Sequence, residues 1–208
     1  MKDHPIILST DMVKAILEDG KTQTRRILAT TTKQWKGQQP LDILPMNTPD
    51  EWVGLMSRNP NKGLVFKCRY GQVGDRLYCR EGFAYRDKPE GESLVVYRAD
   101  QVLGHYQWRP SIHMPRWASR ITLEITEVRV ERVQEISRND AISEGVLFMG
   151  GLIDSEPWCA SVDDQEPMKY PQAAFGRLWD SYNAKRGYGW VTNPWVWVIS
   201  FKVVKDGD

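Results

Sequence analysis

The chain has 208 residues, with 28 Lys+Arg against 27 Asp+Glu and a formal net charge of +1. Its 41% hydrophobic and 26% charged content is ordinary for a globular chain long enough to bury a core without covalent staples. The near-neutral balance excludes a global basic field, so nucleic-acid contact must come from a local patch, and no apolar run approaches the roughly 18–20 residues of a membrane span.

The first segment, STDMVKAILEDG, predicts a short helix. Ser9 or Thr10 caps its start, Met12, Val13, Ile16 and Leu17 form an apolar stripe, and Gly20 ends it. KTQTRRIL then reads as extended. Residues 30 to 63 are rich in Thr, Gln, Asn, Pro and Gly and predict an excursion with little regular structure, save one short helix around Glu51 to Met56. GLVFKCRY reads as a strand. A Gly74-Asp75 turn leads into another, which places Leu77, Cys79, Glu81 and Phe83 on one face.

A second excursion covers residues 86 to 115, with a strand expected at SLVVYRAD. ITLEITEVRVERV is a long strand pattern in which Ile121, Leu123 and Ile125 alternate before the phase slips to Val128 and Val130. Such a slip implies a bulge or bend. EISRNDAISEGV predicts a short helix with Ser137 and Asp140 at capping spacing and Gly145 at its end. After a third insertion at 146–170, PQAAFGRLWDSYNAKRG predicts an amphipathic helix with Phe175, Leu178, Trp179 and Tyr182 on one face. The last strand carries Trp195, Trp197, Ile199, Phe201 and Val203 on one face. One domain over residues 1–208 is expected, of α+β class, with a small curved sheet or barrel carrying three insertions.

EDGKTQTRR contains Gly-Lys-Thr, the end of a phosphate-binding loop. The glycine that motif requires five residues earlier is Ala15 here. The helix also precedes the motif, so its negative end faces Lys21 rather than its N-terminus facing a phosphate. Without further context Lys21 complements that helix end and the threonines are ordinary strand formers.

The same stretch resembles the signature of the ASCH family, which has a PUA-like β-barrel fold: Gly20, Lys21, Thr22, Thr24 and Arg26 match position by position. GQVGDRLYCRE, QEISRNDAISEG and VWVISFK resemble further segments of the family. The longer arrangement, including RPSIHMPRWASRITLEI and LWDSYNAKRGYGW, is similar to larger members common in phage and prophage genomes. Part of the chain resembles the bacterial acetylcytidine amidohydrolases of this fold. That resemblance implies Lys21 as base, Thr24 as nucleophile and Glu144 as proton donor in amide cleavage of N4-acetylcytidine type. The carboxyl of Glu144 would be helped by the negative end of its short helix, and the lysine by Arg25, Arg26 or Arg80. A plain salt bridge from Lys21 to Glu144 or Glu81 is the competing reading. The alternatives are a non-catalytic module that binds RNA or another modified nucleic acid in the same pocket, and a phage accessory protein with a protein partner.

Arg26, Glu81 and Arg80 are further candidates for substrate contact. YQWRPSIHMPRWASR offers Trp117 and Trp108 for base stacking, and Arg116, Arg109 and Arg120 for phosphates. The rival reading there is a proline-pinned loop. His113 is a further possible general acid. Trp190, in GYGWVTNPW, is a candidate pocket rim or an ordinary packing residue. Cys68, Cys79 and Cys159 form no CxxC zinc pattern and suggest a reduced compartment. No metal site and no cofactor are expected. The expected partner is a nucleoside or RNA and the expected setting is cytoplasmic, away from membranes.

Overall fold

The computed structural model describes residues 1–28, 40–46, 51–55, 63–87, 93–100, 104–150, 157–160 and 166–204. In chain order the strands and helices are β1 (Asp3–Ile7), α1 (Thr10–Leu17), β2 (Gln23–Ile27), β3 (Asp42–Pro45), β4 (Glu51–Leu55) and β5 (Gly63–Lys67). There follow β6 (Arg76–Arg80), β7 (Phe83–Asp87), β8 (Ser93–Tyr97), β9 (Thr122–Arg132), α2 (Arg138–Ser143) and β10 (Leu147–Phe148). The last are β11 (Trp158–Cys159), α3 (Pro171–Asn183) and β12 (Trp195–Val203). The protein is thus α+β, mostly strands with a few short helices.

A five-stranded sheet of order β1-β6-β9-β12-β2 forms the centre. Its pairs are antiparallel except β1 with β6. β12 lies between β9 and β2 and is buried on both faces, which explains its nearly unbroken apolar run. Trp195, Trp197, Ile199 and Phe201 enter one core with Leu77, Leu123 and Ile125. Val196 and Val198 enter a second core with Phe175, Leu178 and Trp179 of α3. Val203, predicted to share the first face, is 37% exposed at the strand's end.

The phase slip in β9 is a bulge. Ser200 pairs with Glu127 and Phe201 with Ile125, leaving Thr126 as the extra residue. The insertion restores Val128 and Val130 to the core that already holds Leu123 and Ile125. Without it, the second half of the strand would turn its valines to the opposite face.

The helix ends are capped largely as the sequence implies. Ser9 accepts from the Met12 N–H, and Ser137 from the Asp140 N–H. Gly145 takes a left-handed φ of 91° after α2. At the end of α1 the left-handed residue is Asp19, with φ 56°, rather than Gly20. Asp tolerates that conformation better than most side chains. Leu17, predicted on the apolar stripe, is 49% exposed.

Three expectations for the connecting regions are corrected. The helix around Glu51 to Met56 is strand β4 over its described residues, part of an antiparallel sheet β3-β4-β5 inside the region expected to lack regular structure. The driving contact is long-range: Trp52 and Phe66 stand edge-on to Trp197, at 4.9 and 5.6 Å between ring centroids. The strand expected to run through Glu81 and Phe83 divides there, and β7 pairs instead with β8, the predicted SLVVYRAD strand. The third insertion holds a two-residue ladder, β10 with β11. The rest of these predicted insertions, at 30–39, 47–50, 56–62, 88–92, 101–103, 151–156 and 161–165, lies outside the described residues.

The expected barrel is an open ladder among the described residues, with β1 and β2 as its two edges. A side chain bridges part of that opening: Arg26 of β2 donates from Nη2 to the Ile7 carbonyl of β1, 2.7 Å away.

Candidate ligand-binding cleft

A cleft of about 420 Å³ lies at this opening. Ile7 and Leu8 contribute from the end of β1, Arg25 to Ile27 from β2, and Leu178, Trp179, Tyr182 and Asn183 from α3. Each part is placed by an ordinary folding preference. Strand alternation sends Arg25 and Arg26 to opposite faces of an edge strand, and the apolar stripe of α3 docks on Val196 and Val198. That docking leaves Tyr182 at the margin, 40% exposed, with its hydroxyl donating to Ser9 Oγ at 3.0 Å. Tyr182, expected on one face with Phe175, Leu178 and Trp179, thus stands at the exposed margin of that face.

The cleft is markedly cationic. Arg25, Arg26, Arg69 and Arg186 line it, against the single lining carboxylate of Glu144. Arg25 is fully engaged: Glu131, Asp140 and Glu144 all pair with it, and it donates to Gln23 Oε1 at 2.6 Å. Arg26 differs. Its Nε is buried without a hydrogen-bond partner among the described residues, an expensive condition for a charged donor. Arg69 lies over the Tyr70 ring at 5.4 Å, and Arg186 reaches Asn183 Oδ1 at 3.4 Å. Tyr70 and Tyr182 thus supply flat rings beside Arg69 and Arg186, which make no ion pair among the described residues.

Lys21 sits behind Glu144. Its amine donates to Glu144 Oε2 at 2.8 Å and to the Glu144 backbone carbonyl at 2.7 Å. The side chains are 0% and 3% exposed. Burial draws the Lys21 amine below its ordinary value of 10.5; Glu144 opposes the shift, while Arg26 and Arg25 add to it. Arg80, the third cation proposed for that task, instead holds the carbonyls of Met114, at 2.9 Å, and Ile112. Both carboxyl oxygens of Glu144 accept N–H groups, one from Lys21 and one from Arg25 at 3.1 Å. That is the salt-bridged arrangement, in which Glu144 is an acceptor. It differs from the arrangement of a carboxylic acid poised to donate.

The remaining predicted site residues are dispersed. Thr24 is 1% exposed, opposite Ile199 in the sheet, and does not line the cleft. Glu81 is 2% exposed and binds Arg120 at 3.0 Å; burial raises its carboxyl, with Arg120 opposing. Trp190 packs over Gly176 and stands edge-on to Phe175 at 6.1 Å. Trp117 and Arg116 lie on an exposed face, where Arg116 pairs with Asp3 at 3.0 Å. Of the nine predicted positions, Arg26 and Glu144 line the cleft, and Lys21 joins them from behind.

Tyr70, Arg69, Tyr182, Asn183 and Arg186 were not expected at a site. Asn183 carried a signal: it is a polar residue on the buried side of an apolar helix, only 9% exposed. Arg186 lies in the basic turn that follows α3, where a cation ordinarily complements a helix end. Arg69 and Tyr70 follow a strand, before a glycine-rich turn, with nothing local to mark them. No group of His, Cys, Asp and Glu suited to a metal ion occurs among the described residues, and no helix there is long and apolar enough to cross a membrane.

Neither a protein-family model nor a curated protein matches the sequence. A solved structure, the ASCH domain from Lactobacillus crispatus JV V101, is similar over 97% of this chain and 79% of that one, at 12% identity and a TM-score of 0.40.

Proposed function

We propose that the protein is an ASCH-type, PUA-like domain that binds RNA or a nucleotide in the cleft between β2 and α3. The observation that carries this reading is the convergence of Arg26, Arg69 and Arg186 with Tyr70 and Tyr182 around one cavity. Guanidinium groups suit phosphate oxygens, and an aromatic ring suits the face of a base. The Arg26 guanidinium lines that cavity and gives an anionic ligand a charge-assisted donor group.

Single-stranded RNA binding, followed by fluorescence anisotropy over a salt series, tests this. Affinity should fall as salt rises, and Arg69→Ala and Arg186→Ala should each weaken binding and reduce the logarithmic salt slope by about 0.7. Affinity independent of salt and of both substitutions would reject the proposal.

A second reading, hydrolysis of an acylated cytidine, is favoured by the lowered amine of Lys21 in direct contact with a carboxylate that lines the cleft. Lys21 would take the Thr24 hydroxyl proton, and the hydroxyl oxygen would attack the acetyl carbonyl. The cytosine amine would leave with that same proton, passed from Lys21 to the Glu144 carboxylate in contact with it, and water would then release acetate from Thr24. This chemistry requires Thr24 to reach the ligand, and its burial argues for the binding role first. Acetate release from acetylcytidine and from acetylated RNA, lost in Lys21→Ala and in Thr24→Ala, would establish hydrolysis. Release unchanged in both variants would discard this assignment of roles.

A further inference from the structure

We propose that Trp117 is a second base-stacking position, so that the ligand is a single-stranded RNA of several nucleotides rather than a free nucleoside. This rests on the cleft binding the same strand. Trp117 is 69% exposed, yet its ring lies nearly parallel to Tyr85, 6.1 Å away with 19° between the planes. A ring supported on one side and so exposed overall presents its other face to solvent.

The support is rigid. Tyr85 stands edge-on to Phe83 at 5.5 Å, and Phe83, Met114 and Ala118 form a small buried core beneath. Tyr97 donates to the Ala118 carbonyl at 2.9 Å, and Arg80 holds the carbonyls of Ile112 and Met114. An aromatic side chain fixed in this way loses little conformational freedom on binding.

The surroundings favour an anion. Residues 104–120 contain three arginines and two histidines, with no aspartate or glutamate, although Arg120 is held by Glu81 and Asp100. Arg109 lies over Tyr85 at 4.8 Å and makes no ion pair among the described residues. Arg116 lies over Tyr78 at 5.0 Å, and its pair with Asp3 is at the surface. Cations beside an open indole face match a phosphate chain carrying stackable bases; an apolar protein surface would leave those charges unmatched.

The platform is also within reach of the cleft. Ser111 lines the cleft, and the pinned segment runs from it to Trp117. Six residues span at most about 20 Å. A stacked strand covers that distance in about six nucleotides, and an extended one in fewer.

Oligocytidine RNA of one, three and eight nucleotides, titrated against wild type, Trp117→Ala, Trp117→Phe, Arg109→Ala and Arg69→Ala, tests the proposal. Wild type should bind the octamer more tightly than the mononucleotide. Trp117→Ala should weaken the octamer by about tenfold and leave the mononucleotide unchanged, and Trp117→Phe should keep most of the affinity. Arg109→Ala should weaken the octamer alone. Equal octamer binding by wild type and Trp117→Ala, with Arg69→Ala still weakening every length, would overturn the platform and leave the cleft. Loss of all dependence on length and on Arg69 would remove both. The exposure of Trp117 makes its variants suitable probes, and urea unfolding identical to wild type confirms an intact fold.

Discussion

Replacing Glu144 by Ala isolates the electrostatics of the buried amine. Lys21 then keeps its bond to the residue 144 backbone carbonyl but loses the only carboxylate bonded to it among the described residues. Arg25 retains Glu131, Asp140 and Gln23, so the cost falls mainly on Lys21. Breaking a buried pair on one side typically costs about 3–5 kcal/mol, a large share of the roughly 5–15 kcal/mol that holds a domain folded. With a urea dependence of about 2 kcal/mol per molar, the unfolding midpoint should fall by about 1.5–2.5 M.

The loss should also depend on pH. The native amine sits below the value of 10.5 reached in the unfolded chain. Between those two values the unfolded chain binds more protons, and stability rises with pH. Removing Glu144 removes the influence that opposed the lowering, so this window extends to lower pH. The Glu144→Ala deficit should therefore shrink as pH rises toward 10. The double variant Lys21→Met with Glu144→Leu should recover most of the loss, because neither charge is left buried alone. A midpoint shift below about 0.5 M at pH 7 would refute this reasoning. So would a double variant less stable than Glu144→Ala.

Three further outcomes follow from the geometry. Gly145→Ala should destabilise by about 1–3 kcal/mol, since its φ of 91° strains an L side chain and a new Cβ would lie 3.1 Å from Ala15 Cβ; urea unfolding measures it. The Asp140 carboxyl is held at about 2, below its usual 3.8, by Ser137, Gln23 and Arg129 against the effect of burial. It should contribute stability that is present above 3.8 and lost as pH falls through about 2, a loss missing from Asp140→Asn in unfolding curves between those limits. Thr126 deletion should misphase β9 and remove Val128 and Val130 from the core, read as a sharp drop in melting temperature, whereas Thr126→Ser should be nearly silent.

The sequence revealed features whose cause is local. The slip from Ile125 to Val128 is written in the alternation itself, and the two serine caps stand beside the turns they satisfy. The sheet β3-β4-β5 was not legible because its short strands have no strong period of their own. It gains its contact through Trp52 and Phe66 on Trp197, far along the chain. The candidate cleft divides in the same way. Lys21 and Glu144 were paired by a motif resemblance, and they meet at 2.8 Å. Arg69, Tyr70 and Arg186 come from distant connections, and only the docking of α3 beside the open edge of the sheet brings them together. Thr24 shows the converse limit, since three residues of spacing from Lys21 did not reveal that the strand would face its hydroxyl into the packed sheet.

Photocrosslinking locates a bound strand most directly. An RNA octamer carrying 4-thiouridine, irradiated with the protein and mapped by mass spectrometry, should attach to peptides containing Tyr70 and Tyr182. Excess unmodified octamer and Arg69→Ala should both suppress that attachment. Crosslinks confined to surfaces away from the β2–α3 cleft, or none under saturating RNA, would contradict nucleic-acid binding at this site.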